Sequence, residues 1–496
     1  MLPLNRILKN IPVIARQGSD ALSIQNIHFD SRRIEEGDLF FALKGTRVDG
    51  RGFIAQAVRN GARAVVCEHP PPPDLPRELA IITVGDPNAA LGIAASDFYG
   101  APSRSLALVG VTGTNGKTTI ATSLFRLFRK RGYKVGLLST IQNRIHDEKI
   151  TTTHTTPDAL RINRLIRKMV DAGCQYCFME VSSHALAQQR VSGLRFAGGI
   201  FSNLTQDHLD YHETFEQYRD AKKSFFDRLP PDAFALANAD DPNANLMLRD
   251  CHSRKFHYAT RTSADFNCRI LEKGFDGMTL DLSGIRVRAR LTGAFNASNL
   301  LAVHGAAMLL GQPREAVLAA ISSLGNVAGR FESMRASRGV TAIIDYAHTP
   351  DALENVLETI RGIRNGNQRI ITVVGAGGDR DRTKRPLMGR IVARSSDRVI
   401  LTTDNPRSED PARIIDDMRQ GIRDPDQQKV ARILDRRQAI ETALSQAAPG
   451  DIVLVAGKGH ETYQEIRGVR NHFDDKEVVL AFDSVHDLPS HGNPRE

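Results

Sequence analysis

A chain of 496 residues exceeds what a single hydrophobic core serves, and about three domains are expected. No apolar run approaches the roughly 18 residues of a membrane-spanning helix, and five cysteines give no disulfide framework, so a cytoplasmic protein is expected. The net charge of +9 comes from basic residues scattered among acids, which argues against a nucleic-acid partner and for polyanionic small substrates.

In chain order, the first 14 residues are interrupted by Asn5, Arg6, Lys9, Asn10 and Pro12 and lack the apolar segment of a signal peptide. Residues 1–102 read as a small α/β domain. Turn signals at Asp30, Ser31 and Arg32 precede an apolar strand near 37–43; a helical stretch at 53–60, strands at 64–67 and 80–84 and a helix at 88–99 follow. Gly100, Ala101 and Pro102 mark the boundary.

Residues 103–332 hold the most informative stretch. The run 106–111 has the Leu and Val content of a buried parallel strand. Ile120, Leu124, Leu127 and Phe128 then recur on one face of a helix, which Arg129, Lys130 and Arg131 finish and Gly132 stops. Between strand and helix stand Gly113, Thr114, Asn115, Gly116, Lys117, Thr118 and Thr119. The glycines let backbone N–H groups turn around an anion at the helix N-terminus, Lys117 supplies charge for outer phosphates and Thr118 a hydroxyl for magnesium, so a nucleoside triphosphate is expected. The spacing is G-x-x-G-K-T, with Val111 where the longer common motif has its first glycine.

Further strands at 133–138, 177–181, 199–201 and 233–237, separated by helical segments, predict a mostly parallel sheet with ligands beyond its carboxyl ends. His154, Thr155 and Thr156, then Glu180, Ser182 and His184, then Asn203, Asp207 and His208 stand at such ends. Cys174 and Cys177 form a C-x-x-C without a second pair; Cys177 reads as the start of a buried strand rather than a redox or zinc ligand. From 333 to 496 the rhythm restarts. Strands near 342–344, 370–374, 398–401 and 452–455 predict a second, Rossmann-like open sheet, and the tail from Ser484 is expected to fray.

Together these motifs, from the phosphate loop through Glu180, His184, Asp207, His212, Asn296, Asn299, Gly329, Arg330, Asp345, His348 and the Asp404, Asn405, Pro406, Arg407 run, resemble those of the Mur ligases of peptidoglycan synthesis. Within that family the likeness is to members that add the third amino acid, and it runs from Ser31 to about Asp475. It implies that the D-glutamate carboxylate of UDP-MurNAc-L-Ala-D-Glu attacks ATP to give an acyl phosphate, which the amine of meso-diaminopimelate then takes. The resemblance assigns Gly113 to Thr119, Asn296, Arg330 and Asp345 to ATP; Thr118, Glu180, His208 and Lys222, as a carbamate, to Mg2+; and Lys117, Lys222 and His348 to catalysis. It assigns Ser31, Thr46, Arg47, Val48, His154, Thr155, Thr156, Ser182, Gln188 and Arg190 to the muramoyl nucleotide, His154 standing where related enzymes often have Asn. Arg380, Asp404, Asn405, Pro406, Arg407, Gly457 and Glu461 fall to diaminopimelate.

Read without the resemblance, Lys222 is a helix-surface lysine, Glu180 and His208 a polar pair, Asn296 a packing residue, and Arg407 a loop brace held by Glu409 or Asp410. Three rival functions follow: a lysine-adding ligase, a folylpolyglutamate synthetase, or a nonenzymatic ATP-gated binding module. Arg407 argues against the first, because a guanidinium holds the distal carboxylate that distinguishes diaminopimelate from lysine. The domain around Asp30 argues against the second and the complete catalytic set against the third. A monomer that closes its domains over the acyl phosphate is expected.

Overall fold

The computed structural model describes residues 1–19, 21–45, 48–70, 75–152 and 154–486. Thr46 and Arg47, two of the expected nucleotide-sugar contacts, lie outside them. Three sheets follow one another along the chain. The first has five strands in the order Val13–Gln17, Ala80–Val84, Ala64–Cys67, Leu39–Phe41, Ile27–His28, parallel except for the first pair. The helix Pro87–Phe98 packs on it. Pro87 fixes its first turn, and the Asp86 side chain accepts from the N–H groups of Asn88 and Ala89.

The central sheet has eleven strands. Ala107–Thr112 lies in its middle, between Tyr176–Glu180 and Gly198–Phe201, and every pairing from Val135–Leu138 across to Arg254–Ala259 and Phe266–Gly274 is parallel. The three loops leaving these central strands therefore converge at one carboxyl edge, the crevice where doubly wound sheets bind ligands. The helix Lys117–Lys130 buries Ile120, Leu124, Leu127 and Phe128 against Leu300 and Leu301 of Ala294–Leu309, as its spacing predicts.

Both edges of the sheet differ from the expected alternation. Asn143–Ile145 with Glu148–Ile150, and Gly277–Leu282 with Phe266–Gly274 and Ile285–Ala289, form antiparallel hairpins. Their strands are half solvated and charged, so they lack the continuous apolar signal of the buried ones.

His304, on the helix Ala294–Leu309, is buried to 4% exposure beside Phe266, and neither ring nitrogen has a hydrogen-bond partner among the described residues. Burial lowers its pKa to about 4. His304→Leu is expected to stabilise the protein by about 1 kcal/mol, since it replaces unpaired buried polar atoms with apolar ones of similar volume. A thermal melt checks this.

The third sheet runs Glu332–Arg335, Thr341–Asp345, Ile452–Ala456, Ile370–Val374, Arg398–Leu401, Val430–Arg432, parallel after its first pair. Its first strand begins at Glu332, one residue before the expected boundary. The helix Asp475–His486 runs past Ser484, where the fraying tail was expected to begin, and residues 487–496 of that tail lie outside the described residues; apolar Val478 and Val479 dock the helix on the sheet. Where the second sheet passes to the third, Arg126 of the phosphate-loop helix donates to the carbonyls of Gly325 and Asn326. Gly329 follows at φ +64, and a Cβ there would stand 2.1 Å from the backbone nitrogen of His460. Among the described residues no helix is long and apolar enough to cross a membrane.

Candidate active site

The phosphate loop is held from both sides. Gly113 and Gly116 have positive φ, and a Cβ on either would collide with Ser202 or Asn299. The N–H groups of Thr114 and Asn115 donate to the backbone and side-chain oxygens of Asn203, and the Ser202 hydroxyl donates to the Asn115 carbonyl. The loop is thus shaped before any ligand arrives. Lys117 folds back over it, its Nζ 2.8 Å from the carbonyl oxygens of both Gly113 and Thr114.

Lys222, on the helix Phe215–Asp227, is 1% exposed and donates to the same Gly113 carbonyl at 2.9 Å. Burial, and then the neighbouring Lys117 charge, push the pKa of Lys222 well down. The simple surface reading of this lysine is therefore wrong: it is a buried amine poised to be neutral.

Glu180, at the end of its strand, is fully buried, and its carboxylate accepts only neutral donors: Thr118 Oγ1 at 2.9 Å, the Thr140 N–H at 2.8 Å and Thr140 Oγ1 at 3.1 Å. No ion pair to it occurs among the described residues. His208 stands in left-handed backbone, φ +56, with Nε2 3.4 Å from Asp207 Oδ2. Burial keeps its imidazole neutral and thus able to ligate a metal. Burial opposes ionisation of Asp207, but with the Lys384 ammonium beside it its pKa still lies below the usual carboxylate value.

The third sheet reaches into this crevice. The Arg330 Nη2 lies 3.2 Å from Thr118 Oγ1, the Asn115 side chain donates to Asp351 at 2.7 Å, and Lys384 lies 3.5 Å from Asp207. Arg330 also covers the Tyr346 ring, which His348 and His460 flank. Asp345 accepts from the Phe331 N–H; burial raises its pKa to about 6. Asn296 is buried, donates to the Thr292 carbonyl and accepts from Asn299, so Asn299 rather than Asn296 faces the loop at Gly116.

On the other side, Thr156 donates to the Glu180 carbonyl and accepts from the Ser182 N–H, and the Thr155 and Thr140 hydroxyl oxygens stand 3.0 Å apart. Arg190 reaches the Thr156 carbonyl and holds Gln188, whose amide donates to Tyr211. Thr155, Thr156, Ser182, Gln188 and Arg190 therefore form one wall, with exposed His154 at its rim. Ser31 lies apart in the first sheet's domain, bonded to Gln56, and Val48 is exposed.

The last group gathers at the carboxyl edge of the third sheet. Asn405 donates to Glu461 at 2.7 Å; Lys458, fully buried, lies 3.3 Å from Glu461 and also donates to the Tyr463 carbonyl. Asp404 touches the space above Gly457, where a Cβ would stand 2.6 Å from its Oδ2. Burial opposes its ionisation, but Lys458 and Arg436 hold its pKa below the usual value. Burial and the Asp404 charge push Glu461 the other way. Arg407, at φ +52, donates to the Gly378 carbonyl at 2.7 Å, and its backbone pairs with Glu465 and Arg467. Neither Glu409 nor Asp410 braces it. Arg380 is exposed on the adjoining loop, and Arg380 and Arg407 both approach Gly377.

Asn299 stands among the motif residues but, like Thr140, Tyr346 and Lys458, has no role read from the sequence. Asn299 and Lys458 sit inside motifs already noted, whereas Thr140 follows a strand with no motif of its own.

The crevice also predicts acid sensitivity. Burial holds His184, His212 and His348 at about 4 and His460 at about 3. The unfolded chain protonates these rings near pH 6.5 and the folded one does not, so stability is full above 6.5 and falls toward pH 4. A loss of about 1 kcal/mol per histidine is expected after allowance for solvent screening. Asp345 works oppositely, binding its proton more tightly when folded and returning part of the loss between pH 6 and 4. Urea midpoints at pH 7.5, 5.5 and 4.5 test this; a flat profile would refute it.

Comparison with known proteins follows the same division. Residues 23–99 match the Mur ligase family catalytic domain, 111–307 the Mur ligase middle domain and 329–459 the Mur ligase glutamate ligase domain. A UDP-N-acetylmuramoyl-L-alanyl-D-glutamate--2,6-diaminopimelate ligase of Bacteroides fragilis is 54% identical over 98% of this chain and 100% of its own length. The protein of that name from Bacillus licheniformis is 41% identical over 95% of this chain and 96% of its own. A solved structure with the same enzyme name is 33% identical, with TM-score 0.68 over 98% of this chain and 99% of that one. The MurF ligase of Thermotoga maritima in complex with ADP, 19% identical at TM-score 0.61 over 94% of this chain and 98% of that one, shares the fold.

Proposed function

We propose, from the premise that the chain belongs to the Mur ligase family, that it joins meso-diaminopimelate to the D-glutamate carboxylate of UDP-MurNAc-L-Ala-D-Glu, cleaving ATP to ADP and phosphate. The observation that carries the amino-acid choice is Arg407, a guanidinium with no carboxylate partner among the described residues, set beside Arg380 and the Asn405–Glu461 pair. A distal carboxylate supplies the missing partner, and Glu461 suits the amino group beside it.

Two anions must meet in this reaction, so the chain's first task is charge. Lys117 now bonds only to neutral carbonyls; a triphosphate in the loop offers it an anionic acceptor. Thr118, Glu180 and His208 are the proposed Mg2+ holders, and the buried Glu180 carboxylate with neutral donors alone fits such an ion. Bound magnesium would neutralise phosphate oxygens that otherwise repel the attacking carboxylate. Lys222 fits as a second acidic group, beside Glu180, once its neutral amine adds carbon dioxide and loses a proton to become a carbamate. His348 and Arg330, approaching from the third sheet, are the proposed groups that complete the site around the acyl phosphate, and Thr155, Thr156, Ser182, Gln188 and Arg190 are the proposed wall for the muramoyl peptide.

We assign the nucleotide sugar to residues 1–102, ATP to 103–332 and the amino acid to 333–496. Five free, buried cysteines support residence in the reducing cytoplasm, and the gathering of the central and C-terminal groups from one chain supports a monomer, which light scattering tests.

Purified protein with ATP, Mg2+ and the UDP-MurNAc-dipeptide is expected to release phosphate with diaminopimelate and not with lysine; the reverse pattern overturns the proposal. Arg407→Leu is expected to raise the KM for diaminopimelate at least about tenfold, the worth of one charged two-pronged bond, with the KM for ATP unmoved. Lys222→Ala is expected to lose activity by about 10²-fold or more. Full activity of Lys222→Ala, together with indifference of mass and rate to bicarbonate, refutes the carbamate.

A further inference from the structure

Glu409 lies two residues beyond Arg407 on the same loop, which makes it a natural internal competitor for that guanidinium, yet the two do not pair. The reason is visible in its hydrogen bonds. Glu409 Oε1 accepts from Arg385 Nη2 at 2.8 Å and from the Asp379 N–H at 2.6 Å. Its Oε2 accepts from Arg385 Nη1 at 3.0 Å and lies 2.8 Å from Arg382 Nη2. A carboxylate offers about four acceptor positions, and all four are taken. Arg385 is the anchor of this arrangement: its side chain is 1% exposed, it bonds Asp417 at 2.8 Å as well, and it approaches the Gly377 carbonyl at 3.3 Å.

We propose that Arg385 is a specificity-determining positioning residue, which saturates the Glu409 carboxylate and so keeps the Arg407 guanidinium unpaired for a carboxylate of the incoming amino acid. An internal carboxylate two residues away competes at an effective concentration of millimolar or higher, so its release penalises a dicarboxylate substrate and not one lacking the distal group. The inference rests on the reading that Arg407 holds that carboxylate.

The test compares kcat and KM for diaminopimelate and for lysine in the full-length enzyme. Arg385→Met is expected to raise the KM for diaminopimelate at least tenfold, with the KM for ATP within threefold, and to lower the preference for diaminopimelate over lysine correspondingly. Adding Glu409→Gln removes the competing charge and is expected to recover most of that loss, which a merely structural defect does not allow. Asp417→Asn, which leaves the Glu409 pair in place, is expected to keep the preference. If Arg385→Met does not fold, Arg385→Lys, which keeps the charge and loses the fork, is expected to shift the KM in the same direction with rescue by Glu409→Gln. A double variant as impaired as the single, or equal rises in the KM for ATP, overturns the inference. If Arg407→Leu leaves the KM for diaminopimelate unchanged, the underlying reading fails instead.

Discussion

Lys117→Met lowers kcat for amide formation by an expected ~10³-fold or more, with the thermal midpoint little changed, because a preorganised cation at a phosphoryl-transfer site acts mainly on the transition state. The structure separates the two effects. The loop's shape comes from Gly113, Gly116, Ser202 and Asn203, while Lys117 contributes two bonds, to the carbonyls of Gly113 and Thr114. Methionine keeps the stem and removes the charge. Single-turnover phosphate release, set beside a thermal melt, checks the separation. A variant that melts early would mean Lys117 holds the loop, and one with wild-type kcat would remove it from the chemistry.

A comparable loss, in stability instead, is expected from Asp475→Ala. Arg436 and Asp475 form a two-pronged pair at 2.8 and 2.7 Å, both side chains fully buried, and Arg436 Nη2 also reaches the Ala456 carbonyl just before Gly457. Removing the acid strands a buried guanidinium, at a cost of about 3–5 kcal/mol. Arg436→Met with Asp475→Leu removes both charges and is expected to regain most of this, since well-packed apolar pairs often replace buried ion pairs without loss. Urea unfolding of the two variants discriminates; equal losses would mean that packing, not charge, decides. The single variant also perturbs the amino-acid pocket, because Arg436 helps to hold Asp404 ionised.

What was legible in the sequence was local. The strand, loop and helix around Lys117 lie within about thirty residues, and each signals itself by apolar run, glycine spacing or helical period. The parallel strands at 64–67, 80–84, 370–374 and 398–401 lie at the expected positions because they are buried on both faces and read as continuous apolar runs. The hairpins at the sheet's edges had no such signal. Nor did Lys222: with Lys223 beside it, nothing local says which lysine turns inward, and only the packing of its helix on Gly113 decides. Glu409 was legible as an acid near Arg407, but its true partner lies 24 positions earlier on the helix Lys384–Ser395, so sequence proximity pointed to the wrong pair.

The hairpins that escaped the sequence carry a consequence for the protein in solution. An open sheet ends in unpaired N–H and C=O groups, a template on which a second copy can add strands and begin to aggregate. At one end of the eleven strands the last one presents exposed Glu148 and Lys149, and at the other Arg286 and Arg288. A second copy laid against either rim must desolvate these charges. In this sheet the hydrophobic parallel strands, which would be the dangerous ones, never reach an edge.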